Sequence, residues 1–405
     1  MAGKKIIVVG GGAAGFFTAI SIAENTADYK IEILEKSSKL LSKVRISGGG
    51  RCNVTNERHL PSELVKFYPR GQKKLYKGFG EFGTRDMREW LHSRGVVTKS
   101  EADKRVFPIT DSSETIIETF LSLCQKYGIS IRKRYAVQKI EKTGDLWMIN
   151  DERKADYIVW ATGSSESSWK LLDSLGLDRA PALPSLFTFN IKDARINSLQ
   201  GLSFEEVSIK VTGTKLEENG PLLITHWGLS GPAVLKLSSW GAKELHKVDY
   251  RFEILINFFP GLSQEEVRKK LLEILQSNPK KKLKNYRWQQ IPNRYWEKLL
   301  AEIGLMEKLA GEIGKKQVNK LVEELTQARF QVDGKSTFKE EFVTCGGIEL
   351  NEINLNTMES KKYPGLFLAG EATNIDALTG GFNFQACWTA GWLISQYLST
   401  KQQEI

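Results

Sequence analysis

The first informative feature of the chain is an apolar run that does not alternate. Ile6-Ile7-Val8-Val9 is β-branched at every position, the pattern of a parallel strand buried on both faces. It stops at Gly10-Gly11-Gly12, and apolar residues then recur at Ala13, Phe16, Phe17, Ile20 and Ala23, the spacing of a helix packed on a sheet. Further apolar strands are predicted at residues 30–36, 155–160 and 366–369. A helix is predicted over 87–95, and another carries Ile116, Ile117, Phe120, Leu121 and Cys124, with residues 111–114 as its cap. From residue 187 the texture changes to short strands, at 187–191, 207–211, 222–225 and 250–256, which reads as an antiparallel barrel or sheet. Residues 262–330 are helical in pattern. Ser263 and Glu266 form a capping box there, with Leu262 and Val267 as its staple. Tyr286, Trp288, Tyr295 and Trp296 fall at core positions of this segment rather than on a base-stacking face.

Chemistry enters at the first turn. Gly10, Gly12 and Gly15 form a G-x-G-x-x-G between strand and helix, the context in which that spacing has meaning. Gly10 permits the tight turn, Gly12 lets a pyrophosphate approach the backbone, and Gly15 lets helix and strand pack closely. Ala14 stands beside them at the helix N-terminus, whose amides face the anion. Glu35, followed by Lys36, ends the second strand where an acid binds ribose hydroxyls. A second glycine tract, Gly48-Gly49-Gly50-Arg51-Cys52-Asn53, exposes amides and a guanidinium to an anion. The strand over 366–369 ends in Gly370-Glu371, whose carboxylate can accept from a ligand hydroxyl, and Gly380-Gly381-Phe382-Asn383 opens the last helix. Amides at such a helix start suit an anionic ligand group.

The 405 residues exceed one ordinary core, so two or three domains are expected. Hydrophobic content of 41% and charged content of 26% are those of a soluble globular protein. No window is apolar enough to span a membrane, and the N-terminal apolar run reads as a strand rather than a signal peptide. The four cysteines are scattered, with neither C-x-x-C nor metal spacing. No metal and a reducing cytoplasm are the expectations. The formal net charge is +10, and residues 262–330 hold 15 Lys and Arg against 9 Asp and Glu. That surplus raises nucleic acid as a partner, ranked behind a small-molecule substrate because most charge runs are solvated faces.

The tract Gly48 to Asn56, read as GGGRCNVTN after the first fingerprint, resembles a family of bacterial FAD-dependent oxidoreductases with aminoacetone-oxidase-like and bile-acid-reductase-like members. The family lies within the glutathione-reductase-like superfamily. Arg105-Val106-Phe107-Pro108, Ala161-Thr162-Gly163, the stretch His226-Trp227-Gly228-Leu229-Ser230-Gly231-Pro232 and the C-terminal glycine block carry the same resemblance, in order. It implies that Gly49, Arg51, Cys52 and Asn53 lie beside the flavin, that Val137 meets the adenine, and that Ala161, Thr162 and Gly163 pass the dinucleotide. Asp376 is retained, whereas Asn374 stands where the family leads one to expect Asp, and Ala377 where it leads one to expect Gly. The serine-rich stretch after Gly163 and Leu177 also depart, which bears on the substrate pocket rather than the cofactor site.

These readings define an α/β protein. A discontinuous Rossmann-like FAD domain (1–186 and 343–405) carries an inserted antiparallel β-barrel domain (187–261 and 330–342) and a helical subdomain (262–329). The expected function is hydride transfer between FAD and a small organic substrate, with NAD(P)H as transient co-substrate. Absence of a second fingerprint sends NAD(P)H to the substrate's own pocket. Among four histidines only His226 ends an apolar strand, so His226 and Ser230 are the expected proton-transfer groups. Two alternatives stand beside this: an FAD-dependent tRNA-modifying enzyme, and a structural or sensory flavoprotein. Oligomeric state is open.

Overall fold

The computed structural model describes residues 3–336 and 343–403. The first strand, Lys5–Val9, is apolar throughout because it lies inside its sheet: Ile6, Ile7 and Val8 are fully buried. Tyr157–Trp160 and Lys30–Leu34 flank it, both parallel, with Val8 opposite Val159 and Ile33. Leu366–Leu368 and Ser130–Arg132 extend the parallel part outward on either side, and two short antiparallel strands finish one edge. The helix Ala13–Asn25 is apolar nearly all round because the sheet and the closing helix Phe382–Gln403 both pack on it. Phe17 makes its ring contacts with Phe82, Trp90 and Trp388 at 5.1–5.5 Å between centroids. This is a Rossmann-like α/β arrangement, and it forms one compact unit: the described residues up to Ala182 and again from Val343.

One local expectation is corrected in this unit: Tyr135-Ala136-Val137, whose aromatic and β-branched composition suggests a strand, is not one. Its backbone is tied to the loop beyond the second strand, with Tyr135 N–H donating to the Glu35 carbonyl and Arg134 N–H to that of Ser37. Within the predicted cap of the helix Glu114–Lys126, Ser112 Oγ accepts from Glu114 N–H at 3.3 Å, whereas the Ser113 hydroxyl donates to the Arg45 carbonyl. A three-stranded meander, Ile140–Thr143, Leu146–Ile149 and Arg153–Ala155, had no clear sequence pattern.

The second unit takes the described residues from Leu183. Its sheet has seven antiparallel strands, in the order Ala328–Asp333, Arg251–Asn257, Ser203–Val211, Glu217–Ile224, Gly228–Ser230, Thr188–Asn190 and Lys335–Ser336. The two edges are successive pieces of chain joined at Gly334. Its N–H donates to the Tyr250 carbonyl and its carbonyl accepts from Asn190 N–H. The antiparallel sheet expected is therefore present, with its two edge strands consecutive in the chain and no ladder pairing them directly among the described residues. Residues 337–342, with which the β-rich assignment ends, lie outside the described residues. The helices Gln264–Ser277, Asn293–Glu302 and Lys315–Thr326 share one core with this sheet, in which Tyr295 and Trp296 are buried.

The capping box forms as read. Ser263 Oγ accepts from Glu266 N–H at 3.3 Å, and Glu266 Oε2 accepts from Ser263 N–H at 2.7 Å. Ser263→Ala removes the first of these bonds and should cost about 1 kcal/mol. Faster amide exchange confined to the first turn of that helix is the expected result; unchanged protection would show that the cap contributes nothing.

Candidate functional site

A cleft of about 440 Å³ opens in the first unit where the first strand ends. Its walls are residues 9–14, 34–37 and 39–43 apart from Leu40, Tyr135 to Val137, Ala161 to Ser165, Gly370 and Glu371, and Asn383, Phe384 and Cys387 from the closing helix. That is an elongated site running from an acidic strand end, past a glycine turn, to a helix start.

The three fingerprint glycines are required for different reasons. Gly10 has φ +114°, and a Cβ there would stand 2.3 Å from the Ala161 carbonyl oxygen. A Cβ on Gly15 would lie 2.0 Å from the Gly10 oxygen. Around a Cβ on Gly12 there is nothing within 4 Å, so only something entering the cleft would meet it. Glu35 is already oriented: Oε2 accepts from Gly11 N–H and Oε1 from Ser37 N–H, each at 2.8 Å. Carboxylate oxygens keep further lone pairs for hydroxyl donors. Lys36 Nζ donates to Ser165 Oγ at 2.8 Å. Thr162 Oγ1 is buried without a partner among the described residues. A buried hydroxyl left so is costly unless a ligand completes it. Gly163 and Gly370 line the same wall, and the Glu371 carboxylate accepts from Lys43 Nζ at 2.5 Å.

Other expected residues stand back from this cleft. The helix Ser42–Gly50 breaks at Ser47, and Gly48, Gly49 and Gly50 are all left-handed, which explains three glycines in succession. None of Gly49, Arg51, Cys52 and Asn53 lines the cleft. The Arg51 guanidinium is held 2.5 Å from Glu101 Oε1 and 4.0 Å above the Phe107 ring. Cys52 is fully buried with φ +60°, and burial pushes its thiol up to about 12. With its amide oriented to satisfy both ends, Asn53 accepts from Gly381 N–H and donates to the Thr55 carbonyl, each at 2.9 Å. It thereby fixes the start of the closing helix. Gly380 accepts from Asn56 Nδ2 at 2.9 Å, and Phe382 stacks on Phe67 at 4.3 Å. Asn383 reaches the cleft with its amide bonded at both ends to Ala377. Asp376 is fully buried in an ion pair with Arg70.

His226 and Ser230 belong to the second unit. The Gly-Leu-Ser expected as a turn is the strand Gly228–Ser230, paired with Leu223–Ile224 and Phe189–Asn190. The turn comes earlier: Thr225 N–H donates to the Gly228 carbonyl, and His226 and Trp227 are exposed at its tip. Sequence reasoning missed Lys39, Lys43 and Cys387. Cys387 lies one helical turn after Asn383, so the i+4 rule gives a signal for it. The two lysines have none.

A parallel sheet, a glycine turn at its topological switch and an acid at the next strand's end define a dinucleotide-binding Rossmann protein. More narrowly, the chain belongs to the HI0933-like family: the profile described as "HI0933-like protein Rossmann domain" matches residues 4–397. It is an FAD-dependent oxidoreductase. It is 29% identical over 407 residues to a ribosomal RNA dihydrouridine synthase of Escherichia coli K12, covering 97% of each chain. It is 25% identical over 404 residues to a 3-dehydro-bile acid delta(4,6)-reductase of Clostridium scindens, covering 96% of this chain and 98% of the other. Among solved structures, the open conformation of a flavocytochrome c3 fumarate reductase aligns with a TM-score of 0.49 at 15% identity, over 98% of this chain and 78% of that one. No described helix is long and apolar enough to cross a membrane.

Two outcomes test the site. Gly12→Val should fold and melt like the parent yet bind FAD at least about a hundredfold more weakly, whereas Gly15→Ala should lose folded yield because its methyl meets backbone. Wild-type FAD affinity in Gly12→Val would displace the pyrophosphate from this turn. The second concerns pH. Burial raises the Cys52 and Cys387 thiols from near 9 to about 12, so their neutral forms favour the folded state below pH 9. As pH rises from 9 to 12 the unfolded chain releases these protons first, and stability falls. Cys52→Ser should flatten that decline in a urea titration against pH.

Proposed function

We propose that the protein is an FAD-dependent reductase that saturates a C=C bond conjugated to a carbonyl, and that its substrate is a pyrimidine base in RNA. The observation that carries this is the end-to-end match to two relatives whose names share one chemistry. Dihydrouridine is uridine with the ring double bond beside its carbonyl saturated, and a 3-dehydro-delta(4,6) bile acid is likewise a conjugated enone. The RNA reading is favoured by the higher identity of the dihydrouridine synthase and by the net charge of +10. The sequence alone ranked a small molecule first. That remains the second reading, supported by the bile-acid relative.

FAD, when bound, supplies the hydride. The residues of the cleft would hold it: the helix-start amides from Gly12 onward would meet the pyrophosphate, Glu35, itself held by Gly11 N–H, would accept ribose hydroxyls, and Thr162 Oγ1 would find its missing partner there. Val137 and Ala136 wall the adenine end, and Ala161, Gly163, Gly370 and Glu371 wall the middle. Lys43 holds the Glu371 carboxylate in place. Asn53 and Asn383 fix the helix start through Gly381 and Ala377, and Gly380 and Phe382 brace it through Asn56 and Phe67. Conjugate reduction also needs one proton at the carbon next to the carbonyl. His226, with Ser230, is our candidate for delivering it, since imidazole is the side chain most often used as a general acid.

Anaerobic enzyme reduced with NADH or NADPH should convert uridine to dihydrouridine in deproteinised ribosomal RNA, read by nucleoside mass spectrometry. Saturation of a 3-oxo-Δ4 steroid with no change in the RNA would move the assignment to the second reading. His226→Ala should slow turnover by on the order of 10²-fold while leaving FAD affinity unchanged. Unaltered kinetics would remove His226 from proton transfer.

A further inference from the structure

In the second unit, two loops that are distant in sequence are laced together. Gly311 N–H donates to the Pro279 carbonyl at 2.8 Å, Ala310 N–H to that of Lys281 at 3.0 Å, and Leu283 N–H to that of Lys308 at 3.0 Å. Lys282 and Leu309 form an antiparallel bridge. This lacing sets Lys280, Lys281, Lys282, Lys284 and Lys308 on one strip of surface. Two acids stand beside them, and both are engaged. Glu307 accepts from Lys282 at 2.6 Å and from Lys284 at 2.5 Å, and the Glu312 carboxylate accepts from Leu309 N–H at 3.0 Å. Hydrogen bonds from Lys282 and then Lys284 hold Glu307 down at about 2, the mark of a positive local field. Lys280, Lys281 and Lys308 have no ion pair among the described residues. Lys281 Nζ lies 4.7 Å above the Tyr286 ring, so part of the strip is braced rather than free to sweep through solvent.

We propose that this lysine strip is a docking surface for the RNA phosphate backbone, separate from the cofactor cleft. It rests on the RNA reading above for the choice of polyanion and on the lacing for its geometry. Closely set ammonium groups without carboxylate partners gain most from meeting phosphates, because counterions leave both surfaces. An acidic bilayer carries similar charges, but peripheral membrane segments also insert apolar residues. No large apolar side chain described between residues 273 and 327 is strongly exposed; the nearest is Leu272. The face is polar and basic, which fits a sugar-phosphate chain.

The test uses the FAD-loaded protein and fluorescein-labelled, deproteinised ribosomal RNA fragments, with binding followed by anisotropy from low to physiological salt. Combining Lys280→Glu, Lys281→Glu and Lys308→Glu should weaken binding at least about tenfold. It should also lower the slope of log K against log salt by about 2, at roughly 0.7 for each single-strand phosphate that is no longer neutralised. FAD affinity should not change, and the melting temperature should move only by what the Lys281 contact over Tyr286 contributes, since all three ammonium groups sit outside the core. Parent-like affinity and slope in the triple variant overturn the docking surface, even where the parent still makes dihydrouridine. Loss of binding in the variant, with no dihydrouridine made by the parent, supports the surface and removes the proposed reaction. Binding by the parent to anionic phospholipid vesicles but not to RNA overturns it in favour of a membrane partner.

Discussion

The contact on which the rest of the first unit depends is between two glycine backbones. The carbonyl of Gly10 and the α-carbon of Gly15 are so close that a single methyl on the latter would come within 2.0 Å of that oxygen. This closeness lets the helix Ala13–Asn25 start directly over the end of the first strand, and lets Gly11 lend its N–H to Glu35. The chain leaving the strand Tyr157–Trp160 also passes close, so that a Cβ on Gly10 would stand 2.3 Å from the Ala161 oxygen. Side-chain volume is excluded from three directions, and only the fourth, above Gly12, is left open. The cleft is thus the space that remains when strand, helix and crossing chain are packed as closely as backbone allows.

Much of this was legible in the sequence because it rests on rules that act locally. An unbroken β-branched run can only be a strand buried on both faces, and a glycine spacing can only tolerate certain turns. What the sequence concealed are side chains whose partners lie far off in the chain, from 50 to 328 positions away. Arg51 reads as an anion ligand until Glu101 and Phe107 are seen to hold it. Asn53 reads as a cofactor contact, whereas its amide meets Gly381 across the fold. Lys43 reads as one more surface lysine in a basic stretch, and it is the partner of Glu371. Tyr135 to Val137 has strand-like composition, but its hydrogen bonds go to a loop. In each case a tertiary partner, invisible to periodicity, decided the role.

The second unit follows a different logic. Its sheet and helices bury one set of apolar residues between them, so the helices are as much a part of that core as the strands are. Arg195 shows how tightly this is organised: it is nearly buried, is paired with Asp193 at 2.7 Å and Glu324 at 2.6 Å, and lies 4.0 Å from the Phe330 ring. A buried guanidinium is tolerable only when its donors are met in this way. The charge that remains unpaired is thereby pushed to the outside of the helices.

The four cysteines are all reduced and all buried. A flavoprotein exposed to oxygen generates hydrogen peroxide at its own centre, and thiols within reach of it are the first groups to be damaged. Only the thiolate reacts quickly. Burial keeps Cys387 in the cleft wall a neutral thiol, as it does Cys52 and Cys124 elsewhere in the unit, so the cysteine that lines the cleft is poorly able to react with such an oxidant. The apolar packing that shapes the cleft thus also holds the one thiol in its wall in the form least open to oxidation.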